Sequence, residues 1–485
     1  MTKLFVEEKT AALLRKVADF ITQQNIDCYL VGGYIRDALL GRPTKDIDIA
    51  LPAALEVARK LADVLGGKYV LLDDANGVAR VVLVEPAQGS QWHLDFASIK
   101  EDVEADLSHR DFTIDAIAVN LRELDEARLI DPFQGQEDLE RGLIKAVSET
   151  AFQDDPARLL RAVRMSAEYG FTIDEKTEAL IQAQSELIGC VAGERVREEL
   201  CRLLSTPVSA RYLYSLDRLG LLTAIFPELE LTRGVDQPWE HHWDVFHHSI
   251  ETVEAVERLL KAGEMRQDQI LSLVPRPSTF IQHFEEQIGG GPTRSVLIKL
   301  AALLHDVAKP QTKSVEPNGR ARFLGHTQEG AKITGHILQR LRFSTRETKM
   351  VQKMVESHLR LWQMGDDKPT RRAIYRYFRD TADVSMDIMF LALADYLATY
   401  GPNLELDGWK QSTQLMEYIL SEREKEESIV TPPKLIDGHD LMGIFALKPG
   451  SQIGKLLEAV REAQASGEVT TREEALAFVR GRLDV

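Results

Sequence analysis

A chain of 485 residues, 44% hydrophobic and 28% charged, can bury several cores, and its length predicts three or four soluble globular domains. Its formal net charge of −17 excludes indiscriminate nucleic-acid binding, which runs on Lys and Arg, but leaves room for a local basic track. There is no apolar run of membrane-spanning length, the opening MTKLFVEEKT is acidic too early for a secretory signal, and Cys28, Cys190 and Cys201 are too scattered for a disulfide or zinc framework, so a cytoplasmic protein with reduced thiols is expected.

Residues 7–24 put Ala11, Leu13, Leu14, Val17, Ala18 and Ile21 at helical spacing, ahead of a short strand at 29–31. The stretch 30–50, LVGGYIRDALLGRPTKDIDIA, is where chemistry begins. Gly32 and Gly33 have no Cβ to block an approaching phosphate, a helix over 34–40 would aim its first N–H groups at it, and Arg36 adds a guanidinium fork. On the strand that follows, Asp46 and Asp48 share one face while Ile47 and Ile49 take the other. Two carboxylates so placed can bridge Mg²⁺ ions about 3.5–4 Å apart. A plain Gly-Gly turn followed by exposed aspartates is the bland reading of either piece; their strand–helix–strand order within one short stretch argues against it. The pattern GG-x-x-R-D-x-L-L-G followed by D-x-D resembles the first motif of the class II tRNA nucleotidyltransferase and poly(A) polymerase family.

A helix over 53–65 and strands at 69–72, 78–84 and 93–99, with a turn at 73–77, predict a small antiparallel or mixed sheet. Asp95 lies on the polar face of His93-Leu94-Asp95-Phe96, where a third carboxylate could complete a metal cage or polarise an RNA 3′ hydroxyl. The family carries Glu there, with Arg five residues on; here Asp95 and Lys100 stand instead. SHRDFTIDAIAVN, 108–120, resembles the family's second motif, usually R-R-D-F-T-I-N-A, which implies that Arg110 and Asp111 bind the sugar of the incoming nucleotide. His109 and Asp115 depart from it. An Asp111 that accepts from a ribose hydroxyl would favour ribonucleotides; as a plain cap it would only start the next turn. Asp131-Pro132-Phe133-Gln134-Gly135 with Asp138-Leu139 resembles the third motif and reads as a scaffolding turn.

Asp154-Asp155-Pro156-Ala157-Arg158 opens a helix running through Leu159, Leu160, Val163 and Met165, and resembles the family's base-selecting E/D-D-x-x-R element. Asp155 is an acceptor and Arg158, three residues on, a donor on the same edge. Cytosine and adenine each place an amino donor beside a ring-nitrogen acceptor, whereas uracil and guanine reverse the order and would leave buried polar groups unmatched. Alone, the pair also reads as a surface ion pair at a helix start. Arg161 and Arg164 extend the basic edge toward RNA phosphates. Gly193-Glu194-Arg195 and Glu198-Glu199-Leu200 resemble the last neck motif, an ion-pair brace.

Residues 208–230 read as helical, broken near Gly220. A second motif set follows: His248 in VFHHS, His305-Asp306 in LLHDVAKP, His326, His358 and Asp395 in ALADY. Spacing leaves His247 and His248 both open as the first ligand. The set resembles the HD-domain metal phosphohydrolases, which favours His248 and implies a divalent transition metal or Mg²⁺ that lowers the pKa of bound water. Residues 261–293, rich in Gly and Pro, read as an insertion or mobile loop. Arg340 to Lys353 and KPTRRAIYRYFR, 368–379, are the strongest basic tracts, with Tyr375, Tyr377 and Phe378 interleaved; they fit RNA contact or an ordinary amphipathic helix. Residues 435–485 predict helices around Lys448-Pro449-Gly450 and resemble the tail of long bacterial family members.

Together the resemblances imply an α+β chain: a small mixed-sheet nucleotidyltransferase head (1–146), a helical neck that selects bases and binds RNA (147–235), an HD domain (236–400) and a helical tRNA-binding tail (401–485). They imply an enzyme adding C and/or A to the tRNA 3′ end from CTP and ATP with Mg²⁺, without a template and away from membranes. A poly(A) polymerase, or an RNA-binding regulator with a silent head and a live HD site, are the competing expectations. In family members that complete CCA, a flexible loop after the third-carboxylate strand is assigned to the switch from C to A. Here only 101–108 separate Lys100 from the second motif, and eight residues span at most about 28 Å, so a CC-adding specialist is expected unless the 73–77 turn acts as the lever.

Overall fold

The computed structural model describes residues 7–84, 91–123, 128–261, 268–365, 368–425 and 434–483. They form two compact units, Met1–Val191 with Leu216–Ala224, and Ala192–Ser215 with Ile225–Val485. Compactness thus groups the motif-based segments more coarsely than fourfold.

The first unit is built on a seven-stranded mixed sheet ordered β3-β4-β5-β2-β1-β6-β7. Its strands are β1 (Tyr29–Val31), β2 (Asp46–Leu51), β3 (Lys68–Asp73), β4 (Val78–Val84), β5 (Gln91–Ser98), β6 (Ala118–Asn120) and β7 (Leu129–Ile130). β2 and β5 run parallel, and the other neighbours are antiparallel. The period-two alternation of β2 sends Ile47 and Ile49 into a core with Leu14, Val17 and Ile21 of α1 (Glu8–Gln23). The short helix α2 (Gly33–Leu39) follows β1, and α3 (Ala54–Leu65) adds Val57, Ala58 and Leu61 to the same core. Each such valine, leucine or isoleucine side chain, fully buried, contributes about 1.5–3 kcal/mol, which is what holds β2 in register beneath its two aspartates. On a second core, Val31, Ala50, Ala116 and Ala118 meet Val103 and Leu107 of α4 (Val103–Ser108). That helix is what the short 101–108 connection becomes: Asp102 caps it by accepting from the Ala105 N–H at 2.8 Å.

The second unit is helical. Arg294–Leu304 runs through its centre, buried almost all round, with Val245–Lys261, His326–Arg340, Thr345–Ser357 and Ser385–Tyr400 as the other long elements. Buried Lys299 donates to the carbonyls of Leu204 and Thr206 at 2.8 Å and to Glu257 at 3.0 Å, tying the end of the Gly193–Ser205 helix to the body. The tail helices Gly438–Phe445, Ser451–Ala465 and Arg472–Leu483 close their own small core around Leu441, Val460, Ala475 and Val479. No helix among the described residues is long and apolar enough to cross a membrane.

Two expectations are decided here. Of the 261–293 stretch, residues 262–267 lie outside the described residues, and the rest is packed rather than loose: Phe280 and Phe284 stand 5.0 and 5.2 Å from Phe390, and His283 pairs with Asp387 at 3.0 Å. The basic tract of 368–379 takes the second of its two readings, the amphipathic helix Arg371–Thr381, on which Arg372, Arg376 and Arg379 face acids of the same chain. Arg372 pairs with Glu468, Arg376 with Glu462, and Arg379 with Glu458 and Glu462, all at 2.7–3.0 Å. Tyr377 and Phe378 are buried, and the Tyr375 hydroxyl donates to Glu458 at 3.0 Å. The tract docks the tail, and the charge of these three arginines is answered within the protein.

Candidate active sites

In the first unit, strand register assembles what the sequence holds apart. Asp46 lies opposite His93, and Asp48 opposite Asp95, across the parallel β2–β5 pair. Arg80 on β4 lies opposite Asp95 in turn. His93 Nδ1 is 2.9 Å from the Asp46 carboxylate, and Arg80 donates to both oxygens of Asp95 at 2.6 and 2.7 Å. Gly32 sits above this row with φ +67°, ψ −138°, a conformation glycine adopts readily. A Cβ there would stand 2.5 Å from Arg110 Nη1 and 3.3 Å from Asp48 Oδ2, so the missing side chain is what lets guanidinium, carboxylate and backbone converge. Burial, the largest influence, pushes the Asp48 carboxyl up, with Arg110 and Arg36 opposing it. All-oxygen donors of this kind fit a hard cation such as Mg²⁺.

Other predicted site residues are placed differently from expectation. Arg36 is a brace before it is a phosphate fork: its Nε meets Asp37 at 3.0 Å, its Nη1 meets buried Asp115 at 2.5 Å, and the guanidinium lies 4.7 Å from the Tyr169 ring. Its Nη2 borders the Gly33 backbone, 3.3 Å from where a Cβ would be. Asp115, the departure from the second motif, is thereby explained as the anion for Arg36. The Gly32 N–H is directed to the Ile117 carbonyl at 3.3 Å, not toward solvent. Arg110 pairs with Asp106 at 3.2 Å. Asp111 both accepts from the Phe112 N–H at 3.0 Å and pairs with Arg161 at 2.9 Å. Burial works against its charge, but Arg161 and Arg158 more than offset that and hold its carboxyl below the ordinary range.

On the Ala157–Tyr169 helix, Asp155 accepts from the Ala157 N–H at 3.2 Å, and Arg158 Nε is 4.0 Å from Asp155. The Arg158 fork also donates to the carbonyls of His109, Arg110 and Ala151 at 2.7–3.3 Å, which fixes this edge against the second motif. Asp154 accepts from Thr150 at 3.2 Å. Arg164 does not extend the edge: it is 5% exposed and paired with Glu168, because its position on the helix faces inward.

The second unit brings all six expected metal donors together. His248, His305, Asp306 and His358 are essentially buried, with His326 and Asp395 nearly so. His248 Nε2 lies 3.2 Å from His305 Nε2 and 3.0 Å from Asp395; His305 Nε2 lies 3.0 Å from Asp306. Among the described residues, the sets of three donor atoms within 4.8 Å of one another all lie here. The Nδ1 atoms of His305, His326 and His358 lie 2.7–2.8 Å from the carbonyls of Ala302, Phe323 and Val355, an arrangement that turns each Nε2 inward as the donor. His247, by contrast, is 42% exposed and pairs with Asp244, so His248 is the ligand candidate. Burial pushes His358 down to about 3, helped by His305. At His305 burial also opposes charge, but Asp306 and Asp395 overcome it and carry the pKa up to about 10. Burial holds His248, His326 and His358 toward the neutral form around two ionised carboxylates, neither Asp306 oxygen is in a well-directed hydrogen bond, and a divalent cation would fit here by displacing the His305 proton.

Sequence reasoning missed four neighbours: Arg80, His93, Lys309 and His241. Lys309 reaches Asp306 at 2.6 Å, and the His241 ring lies 5.6 Å from that of His248. Arg80 was marked, as the one charge in the otherwise apolar Val78–Val84, and His93 by sharing a strand face with Asp95.

Comparison with known proteins matches three families along the chain. The poly A polymerase head domain family matches residues 28–145, the family described as the probable RNA and SrmB-binding site of polymerase A matches 170–232, and the HD domain matches 245–400. The A-adding tRNA nucleotidyltransferase of Deinococcus radiodurans is 36% identical, covering 93% of this chain and 94% of that protein. The CC-adding tRNA nucleotidyltransferase of Thermus thermophilus is 34% identical, covering 93% of each. In fold, the Thermotoga maritima CCA-adding enzyme, solved in complex with tRNA, superimposes over 99% of this chain and 96% of its own with a TM-score of 0.62 at 23% identity. On the strength of those full-length relatives, the chain belongs to the tRNA nucleotidyltransferase family.

Proposed function

We propose that the first unit adds C and/or A to the 3′ end of tRNA from CTP and ATP, joining the RNA 3′ hydroxyl to the α-phosphate and releasing pyrophosphate. The observation that carries this is the convergence of the Gly32 backbone, Arg110 and Asp48 on one face of β2, with Asp46 and Asp95 beside them. Asp46 and Asp48 would hold Mg²⁺, which when bound supplies the charge that activates the hydroxyl and steadies the leaving pyrophosphate. Asp95 stands to accept the hydroxyl proton or complete the donor set. Gly32 and Gly33 admit the triphosphate against the backbone, Arg110 offsets its charge, and Arg36 supports the cradle from behind. Asp111, oriented by Arg161, accepts from the ribose; Asp155 and Arg158, with Asp154 at the helix start, present the acceptor and donor edge that C and A match. The motif division at 146, 235 and 400 assigns the neck and tail to tRNA.

Labelled CTP and ATP, supplied separately with tRNA ending at the discriminator base, at C or at CC, test the reading. C incorporation supports it, ATP use alone on any RNA marks a poly(A) polymerase, and no incorporation marks a silent head. We infer further that terminal A addition is weak, because a capped six-residue helix, α4, occupies the connection that a flexible loop would need. Efficient conversion of CC to CCA would refute that specialist reading.

For the second site we propose metal-dependent phosphatase or phosphodiesterase activity. His248, His305, Asp306, His326, His358 and Asp395 would hold a divalent transition metal or Mg²⁺, which when bound lowers the pKa of water to a nucleophilic range.

A further inference from the structure

This inference rests on the reading that Asp46, Asp48 and Asp95 serve metal-dependent addition, and it concerns a residue that reading leaves without a part. Arg80, Asp95 and Asp48 form one row across the adjacent strands β4, β5 and β2. Side chains directly opposite in a sheet stand about 4.5–5.5 Å apart at Cβ, so the row is continuous. The Arg80 fork engages both Asp95 oxygens at 2.6 and 2.7 Å, and the two side chains are 35% and 25% exposed. Every other residue of β4 is apolar, so a charged fork here is set for a specific partner. A carboxylate held at both oxygens by a planar guanidinium is fixed in orientation and is a poorer ligand for a second cation. The Arg80 pKa is raised first by its hydrogen bonds to Asp95, against burial, with smaller contributions from Asp46 and Asp48, so its charge reaches the whole triad.

We propose that Arg80 is a positioning residue for nucleotide addition: it fixes Asp95 beside Asp48 and restrains the triad's affinity for divalent cations. Without the Arg80 charge, Asp95 would be free to join Asp46 and Asp48 as a third carboxylate ligand, so a divalent cation would bind more tightly while Asp95 is misplaced for the reacting hydroxyl. A purely structural arginine would not make metal binding tighter when removed.

The test uses the full-length chain, with Mn²⁺ binding followed by electron paramagnetic resonance beside steady-state C addition. In Arg80→Met, Mn²⁺ should bind about fivefold tighter, roughly 1 kcal/mol. Its kcat should fall about tenfold or more with KM for CTP unchanged, because the misplaced group acts at the reacting centre. Arg80→Lys keeps the charge but loses the fork, so Mn²⁺ affinity should stay within about twofold of wild type while kcat falls. In an Asp95→Asn background, Arg80→Met should lower kcat no further and tighten Mn²⁺ binding by less than it does in the wild-type chain, since the main partner is already gone. Unchanged or weaker Mn²⁺ binding in a folded Arg80→Met protein overturns the proposal, as does a raised KM for CTP, which would make Arg80 a phosphate contact. If Arg80→Met does not fold, Arg80→Lys decides, and full kcat there overturns it. Failure of the underlying reading is separate: it is signalled by an Asp48→Ala protein that still adds C.

Discussion

Arg36→Met separates a brace from a phosphate ligand. Arg36 spends Nη1 on Asp115 at 2.5 Å and Nε on Asp37 at 3.0 Å; its side chain and that of Asp115 are each 11% exposed. Removing one partner of such a pair leaves a carboxylate in the core without its counter-charge, which costs about 3–5 kcal/mol. In a unit of about 200 residues each kcal/mol moves the melting temperature by about 2–4 °C, so a fall of about 10 °C is expected. Thermal melting of the full chain, with KM for CTP measured well below the transition, reads both roles. Adding Asp115→Leu should recover at least half of the loss, since an apolar pair of similar volume replaces the stranded ion. A melt within about 2 °C of wild type, together with a tenfold rise in KM for CTP, would refute the brace and make Arg36 a ligand of the triphosphate.

Asp46→Ala or Asp48→Ala should abolish C addition while tRNA binding by filter retention is unchanged; more than about a tenth of the wild-type rate would sink the metal assignment. Arg161→Leu should destabilise more at neutral than at acid pH. Arg161 holds Asp111 low, so the pair contributes stability above the unfolded pKa near 3.9, lost as pH falls through the folded value; without Arg161 burial dominates and the carboxyl rises instead. Equal shifts in urea midpoint at about pH 3 and pH 7 would contradict this. His305→Ala with Asp306→Ala should remove metal-dependent phosphate hydrolysis and spare nucleotide addition; a folded double variant that cannot add C would mean the two sites are not independent. Arg376→Glu with Arg379→Glu sets four acids face to face, and amide exchange in Ser451–Ala465 should accelerate. Unchanged protection there would show that the apolar contacts alone hold the tail.

What the amino-acid sequence determined by itself were the features written within a few residues. Asp46 and Asp48 share a face because a strand repeats every two residues, Gly32 admits close approach because it has no Cβ, and His305-Asp306 follow an apolar helix. The six HD candidates were likewise legible as motif positions at the ends or on the inner faces of helices, and the structure gathers their donor atoms into one cluster. Tertiary structure decided everything that depends on which groups meet. Strand register set Asp95 and His93 opposite the two aspartates, and brought Arg80 onto Asp95 from fifteen residues away. Burial chose His248 over His247 and turned Arg164 inward, although both choices involve identical chemistry on neighbouring helical positions. The basic helix Arg371–Thr381 shows the limit most plainly: its charge reads as an RNA face until Glu458, Glu462 and Glu468, 79 to 96 residues on, are found against Arg372, Arg376 and Arg379. A charge carries the same sign in any sequence context, but its partner is set by long-range packing, which local periodicity does not encode.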